Sequence, residues 1–338
     1  MSRREVISGL GDSLENQETM ATNACCAECG EEGGVSLKTC KACMHARYCS
    51  AVCQRNHWPK HKTACKLRAA ELRDKALFKD PPPKEDCPIC FLPMPATILL
   101  CASLPPATTS SVPIYDYAIA NDGLEAKDME VYYSCCGKSI CSGCILHPLY
   151  AAGYICKCPF CNAERNIYAT DEDKVAQIRK RVEANDAGAM YVLGTYYDQG
   201  LVGLLQDREK AIALWTQAAE RGSSRAHFSL GRIYHEGENL KKAKFHWGSA
   251  AMAGHDGARC NLGSLEYNSG KMERAIKHWT IAASAGSYFA LRELIICFQE
   301  GSVTRESIDS TLAAYNSSCA EMRSEARDSS IRAIAETI

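Results

Sequence analysis

The sequence predicts a multidomain chain in which two small zinc-stabilised α+β modules precede an all-α helix-pair solenoid. Two observations carry that reading: eighteen of the 21 cysteines fall between Cys25 and Cys161, most of them in pairs at short fixed spacing, and the stretch beyond about residue 187 repeats itself every 32 residues. A third is length, because 338 residues exceed what one hydrophobic core usually serves.

A net charge of -1 gives the whole chain no attraction for nucleic acid or an anionic membrane surface. The N-terminus lacks the apolar run of a signal peptide, and no stretch approaches the roughly 18 apolar residues of a membrane span, so no membrane partner is expected. The expected compartment is the cytosol or nucleus. In that reducing setting cysteines serve as metal ligands or buried thiols instead of disulfides, and spacing decides between the two. Residues 1–24 are polar, with few large apolar side chains, and are expected to form a disordered leader.

The first cysteine block, residues 25–66, contains Cys26-x2-Cys29, Cys40-x2-Cys43, Cys49-x3-Cys53 and His61-x3-Cys65. Two intervening residues let a tight turn aim both thiolates at one metal, and three intervening residues place two ligands one helical turn apart. Only Cys26, and not Cys25, has the x2 spacing to Cys29. Eight ligands make two closed tetrahedral sites, the structural kind with no open position for a reactive water. Pro59 separates the two x3 pairs and predicts two short helices there. A stretch rich in helix formers continues toward residue 80, where Pro81, Pro82 and Pro83 end it. His45 and His57 are expected to be surface or packing histidines.

This pattern, together with Tyr48-Cys49-Ser50, Cys53-Gln54, Trp58 and His61-Lys62, resembles the MYND-type zinc finger. The resemblance implies interleaved pairs: Cys26, Cys29, Cys49 and Cys53 on one zinc, and Cys40, Cys43, His61 and Cys65 on the other. It also implies a grip on short proline-containing peptides, with Gln54 and Trp58 at the positions that line the groove. Trp58 has a second reading, as packing between two short helices, and both can hold. Residues 25–80 carry 11 Lys or Arg against 6 Asp or Glu, yet aromatic residues suited to base stacking are nearly absent there, so direct nucleic-acid binding is not expected.

The second block, residues 84–168, contains Cys87-x2-Cys90, Cys135-Cys136, Cys141-x2-Cys144 and Cys158-x2-Cys161, broken by a long loop insertion over 91–134. It resembles a RING-type finger of the cysteine-only kind. The resemblance implies one zinc on Cys87, Cys90, Cys141 and Cys144, and a second half-held by Cys158 and Cys161. Adjacent residues normally point apart, so for Cys135 and Cys136 to share an ion requires an unusual turn, which Gly137 permits. Cys156 or His147 could replace one of them. Lys138 stands where many RING domains place a histidine ligand. RING domains usually act as ubiquitin ligases by holding a ubiquitin-conjugating enzyme beside a substrate. Ile89 and Pro159 match the positions that contact that enzyme, whereas Asn162 stands where active ligases often carry a basic residue.

At Thr170-Asp171-Glu172-Asp173 a capping box opens a helix with Val175, Ile178 and Val182 on one face. From there, over 170–325, the texture is helical. Trp215, Trp247 and Trp279 lie 32 residues apart, as do Ala218-Ala219, Ala250-Ala251 and Ala282-Ala283, and Gly222, Gly254 and Gly286. Leu193-Gly194, Leu230-Gly231 and Leu262-Gly263 recur in the other half of the unit, the first interval being longer by five residues that fit at Gly200–Gln206. Such a period means stacked helix pairs. The pattern resembles the Sel-like subfamily of tetratricopeptide-type repeats over about 187–300, with Leu312, Tyr315 and Met322 in a terminal capping helix. The tryptophans read as core, and a concave surface suited to peptides or protein partners is implied.

Together these readings imply about four zinc ions and a protein–protein interaction adaptor. The alternatives are a RING-type ubiquitin ligase that uses its other modules to recruit substrate, and a chromatin-associated regulator. No Ser-His-Asp set, phosphate loop or nucleotide fingerprint points to another enzyme.

Overall fold

A computed structural model of the chain describes residues 25–31, 36–88, 91, 130–141, 144, 157–158, 160–163, 170–322 and 324. The expected leader, most of the insertion, and Ile89, Cys90, Cys101, His147, Cys156 and Pro159 lie outside the described residues. The chain divides into two compact units, Met1–Leu77 and Phe78–Ile338.

In the first unit a two-stranded antiparallel ribbon, β1 (Lys38–Thr39) and β2 (Arg47–Tyr48), pairs Lys38 with Tyr48 and Thr39 with Arg47. A single helix follows, α1 (Ala51–Leu77), opened by Ser50, whose Oγ accepts from the Cys53 N–H at 3.2 Å. The two short helices expected around Pro59 are therefore one continuous helix with the proline inside it. Proline removes one ladder bond, at a cost of about 3 kcal/mol in a helix interior. Arg55 and Pro59 are both exposed, so water can serve the carbonyl left over, and cysteine clusters anchor the backbone on both sides.

The second unit opens with the hairpin β3 (Glu130–Tyr133) and β4 (Lys138–Cys141), which pairs Val131 with Ile140 and Tyr132 with Ser139. The insertion expected to run to 134 thus gives way to a strand at 130. Nine helices among the described residues follow: α2 (Asp171–Glu183), α3 (Ala187–Gln199), α4 (Arg208–Glu220), α5 (Ser224–Glu236), α6 (Leu240–Met252), α7 (Asp256–Asn268), α8 (Met272–Ser284), α9 (Tyr288–Gln299) and α10 (Arg305–Met322). The capping box at Thr170 and Asp173 forms as expected, with Val175 and Ile178 buried. Tyr132 of the hairpin packs into the core made by Val175, Ile178 and Leu193, and Ser134 Oγ donates to Gln177 Oε1 at 2.9 Å. The second cysteine module is accordingly docked on the first helices of the array.

Helices α3/α4, α5/α6 and α7/α8 form the pairs, and each pair packs on the next. The alanines at the crossings are fully buried: Ala211, Ala243 and Ala275 on the second helices, and Ala226, Ala258 and Ala290 on the first. Corners between helices share one geometry. At Gly222, Gly254 and Gly286 the backbone turns left-handed, with φ of 88°, 88° and 92°. The next residue's N–H then bonds back to the Ala218, Ala250 or Ala282 carbonyl at 3.0 Å in each case. This is the Schellman stop, where glycine costs no Cβ strain. Ser223 and His255 then cap the following helix, their side chains accepting from Ala226 and Ala258 N–H. The extra residues of the first unit form the loop after Gly200, as expected. Among the described residues no helix is long and apolar enough to cross a membrane.

Candidate metal centres

Four groups of ligand-type side chains converge. Cys26, Cys29, Cys49 and Cys53 form one, and Cys40, Cys43, His61 and Cys65 a second. Cys135, Cys136, Cys158 and Cys161 form a third, while Cys87, Cys141 and Cys144 form a fourth, whose expected last member Cys90 is not described. Within each group the donor atoms lie within 4.8 Å of one another. The grouping interleaves the chain in both modules, and Cys26, not Cys25, joins the first group.

The edges of these groups match a metal tetrahedron. With Zn–S near 2.3 Å, sulfurs on a tetrahedron sit about 3.8 Å apart, and a sulfur and an imidazole nitrogen about 3.5 Å. Cys29–Cys49 is 3.6 Å, Cys49–Cys53 3.5 Å, Cys40–Cys65 3.7 Å, Cys87–Cys144 3.8 Å and Cys136–Cys158 3.7 Å. The Cys43 sulfur to His61 Nε2 distance is 3.4 Å. A disulfide would hold its sulfurs at about 2.05 Å. The donor set of thiolates and one imidazole is the set zinc prefers, and in the three groups with four described donors it leaves no position for a reactive water.

One backbone device builds the turn pairs. The residue after the second cysteine is left-handed at Gly30, Met44, Phe91 and Asn162, with φ of 73°, 55°, 55° and 58°. Its N–H bonds to the carbonyl of the first cysteine, Cys26, Cys40, Cys87 or Cys158, at 2.8–3.0 Å. The turn is closed four times in the same way. Asn162 thereby has a structural reason to replace a basic residue, because asparagine tolerates the left-handed region better than lysine or arginine.

The adjacent pair Cys135-Cys136 does converge on one group, and Gly137 is the cause, with φ of 75°. The Tyr133 carbonyl accepts from both the Cys136 and Gly137 N–H, at 3.2 and 2.8 Å, which curls the hairpin tip so that both thiols face Cys158 and Cys161. Lys138 takes no ligand position; its ammonium lies 5.0 Å from the centroid of Phe160, whose ring meets Tyr133 edge-on.

Electrostatics within the groups call for a cation. Backbone N–H groups of Cys29 and Cys49 hold Cys26 down to about 6, while the neighbouring thiols of Cys53 and Cys29 push Cys49 up to about 12. Burial, joined by Cys40 and Cys43, pushes Cys65 up to about 11. Sulfurs that raise one another in this way deprotonate together only when a bound cation balances them.

Around the second group, Tyr48 is buried and its hydroxyl lies 3.0 Å from His57 Nδ1, while the His57 ring stacks on His61 with centroids 5.6 Å apart. His57 is thus the packing residue expected, and His45 is exposed. Gln54 and Trp58 lie one turn apart on α1, and both are exposed, Trp58 to 41%. With α1 continuous, Trp58 has no second short helix to pack against.

Comparison with known proteins follows the same division. Residues 26–65 match the MYND finger, and residues 187–223, 224–255 and 258–287 each match the Sel1 repeat, so the expected zinc-binding finger and repeats are confirmed. The RING-like reading of the second module has no such match. No curated protein matches the chain. Solved structures that resemble part of it include the following two. A Sel1 repeat protein from Oxalobacter formigenes is 22% identical, with 52% of this chain and 70% of that one covered and a TM-score of 0.39. The protective antigen c5321 of uropathogenic Escherichia coli strains, displaying an SLR fold, is 23% identical, with 58% and 44% covered and a TM-score of 0.37.

Proposed function

We propose that the chain is an adaptor held in shape by four closed zinc sites, with the finger gripping proline-containing peptides and the array holding a second protein partner. The ligands are the sixteen residues named from the sequence, Cys90 completing the site of Cys87, Cys141 and Cys144. The observation that carries the reading is the pairing of Gln54 and Trp58 on an exposed face of α1, beside sites that have no open metal position. An exposed tryptophan one turn from an amide offers a flat apolar face with a hydrogen-bonding group beside it, which suits an extended proline segment. Binding of a proline-containing peptide array to the full chain tests this. Trp58→Ala should weaken the retained peptides at least tenfold with zinc content unchanged; equal binding would overturn the finger's role. Elemental analysis should return about four zinc ions per chain.

A second reading, a ubiquitin ligase, draws on the interleaved order of Cys87, Cys141 and Cys144 with Cys135, Cys136, Cys158 and Cys161. In a ubiquitination assay with a panel of conjugating enzymes, chain formation that disappears in Ile89→Ala and Pro159→Ala would favour it over the adaptor.

A further inference from the structure

Residues 78–86 leave α1 through a turn and lie against the repeat array, which they contact through Phe78, Pro82 and Lys84. The Phe78 ring lies against the His278 imidazole with centroids 4.6 Å apart, and the Arg274 guanidinium stands 4.9 Å from the Phe78 ring centroid. Pro82 rests on Gly254, the corner between α6 and α7, where an added Cβ would meet Pro82 Cγ at 3.6 Å. Lys84 Nζ donates to the Ala285 carbonyl, at the corner between α8 and α9, at 2.6 Å and sits 3.2 Å from Met322 Sδ. Three anchors therefore span two successive corners of the solenoid, in a segment whose prolines hold it extended.

The anchoring is incomplete in a way that matters. His278 is fully buried, yet neither ring nitrogen has a hydrogen-bond partner among the described residues, while nearby Glu266, 1% exposed, is held by Lys244, Lys271 and Arg274. Phe78 covers the His278 imidazole without satisfying it, and an unsatisfied buried group costs free energy that a better-matched occupant would recover. In such arrays the loops on one face often form the binding face.

We propose that the edge of the array formed by His278, Gly254 and Ala285 is a receptor for an extended peptide with an aromatic residue four positions before a proline and a lysine two positions after it. Residues 78–84 occupy it as a tethered competitor. This rests on the adaptor reading and gives the array's partner a chemistry. A tether of this length sets an effective concentration in the millimolar range, so an outside peptide of modest affinity meets a largely closed site until the linker is displaced.

The test uses the full-length protein and a fluorescein-labelled peptide of residues 75–86, with binding read by fluorescence anisotropy. Phe78→Ala combined with Lys84→Ala frees the edge, and this variant should bind the peptide at least tenfold more tightly than the wild type. Adding His278→Ala should abolish the gain, and adding Leu205→Ala, in the exposed loop after Gly200, should preserve it. Equal binding by wild type and released variant would overturn the proposal. So would loss with Trp58→Ala instead of His278→Ala, which would put the peptide on the finger and leave the adaptor reading intact. Should the released variant fold poorly, hydroxyl-radical footprinting of the wild type decides. Excess unlabelled peptide should raise oxidation of the Phe78 ring, which is packed against His278, above the level seen with a scrambled peptide, and unchanged oxidation would overturn the competitor.

Discussion

Glycine and tryptophan are linked residues in this array. A Cβ added at Gly194, Gly231 or Gly263 would fall under 3.0 Å from the pyrrole edge of Trp215, Trp247 or Trp279 respectively. Each Leu-Gly pair therefore exists to admit the tryptophan of the facing helix. The fourth unit confirms the dependence: 32 residues beyond Trp279 stands Thr311, and 32 beyond Gly263 stands Ile295, so the glycine is lost where the tryptophan is lost. Two of the indole N–H groups also find carbonyls across the same contact, Trp215 to Tyr191 at 3.1 Å and Trp247 to Phe228 at 3.2 Å. Gly231→Ala should thus destabilise the array by about 1–3 kcal/mol, the usual cost of overpacking, because the buried indole has nowhere to move. In a Trp247→Leu background the same substitution should cost much less. Urea midpoints of the four proteins, combined as a double-mutant cycle, measure the coupling, and additive costs would contradict the assigned contact.

At the scale of elements, the corners show which parts were legible before the structure. Gly222, Gly254 and Gly286 recur after Ala-Ala at fixed spacing and announce helix ends from sequence. Asn185 takes the same left-handed role in the first unit with φ of 61°, and Glu238 takes it within the second with φ of 56°. Neither was visible as a corner, because a backbone demand met by asparagine or glutamate leaves no compositional trace. The cysteine turns divide likewise: Gly30 and Asn162 suit left-handed backbone, whereas Met44 and Phe91 accept it only because a shared ligand cluster closes the turn. Pro59 misled for a related reason, since local propensity predicts a break and the ligands on either side hold the helix through it. Whether Cys135 and Cys136 share a site was undecidable from spacing alone, because hairpin register and the Tyr133 carbonyl set their direction. Glu238 yields a prediction here. A non-glycine residue in that region carries about 1–2 kcal/mol of strain, so Glu238→Gly should raise the thermal midpoint, while Gly270→Ala, at φ of 73° in the corresponding corner of the next unit, should lower it.

Across the whole molecule the balance of charge depends on pH in a way the array's histidines determine. Burial lowers His227, His235, His246, His255 and His278 below the ordinary imidazole value, to about 4 for His246 and about 3 for His278. His227 and His246 also face each other through their Nδ1 atoms at 3.0 Å, and His255 caps α7 through an Nδ1 that must stay unprotonated to accept from Ala258. The unfolded chain takes up protons at these residues near pH 6.5, whereas the folded array refuses them until far lower pH, so the unfolded state binds more protons in between. Stability is therefore fully present above about pH 6.5 and is lost as pH falls toward 4. Each unit of depression corresponds to about 1.4 kcal/mol at full burial, less at half-exposed His246, where solvent screens the effect. Urea unfolding followed by tryptophan fluorescence should show a midpoint that falls steadily between pH 6.5 and 4. Acid also releases zinc from thiolates, which lowers stability in the same direction, so the comparison that isolates the array is between variants. His246→Gln with His278→Gln should flatten the decline while leaving zinc content equal at each pH, and an unchanged slope would mean that these two histidines do not contribute to the acid limit.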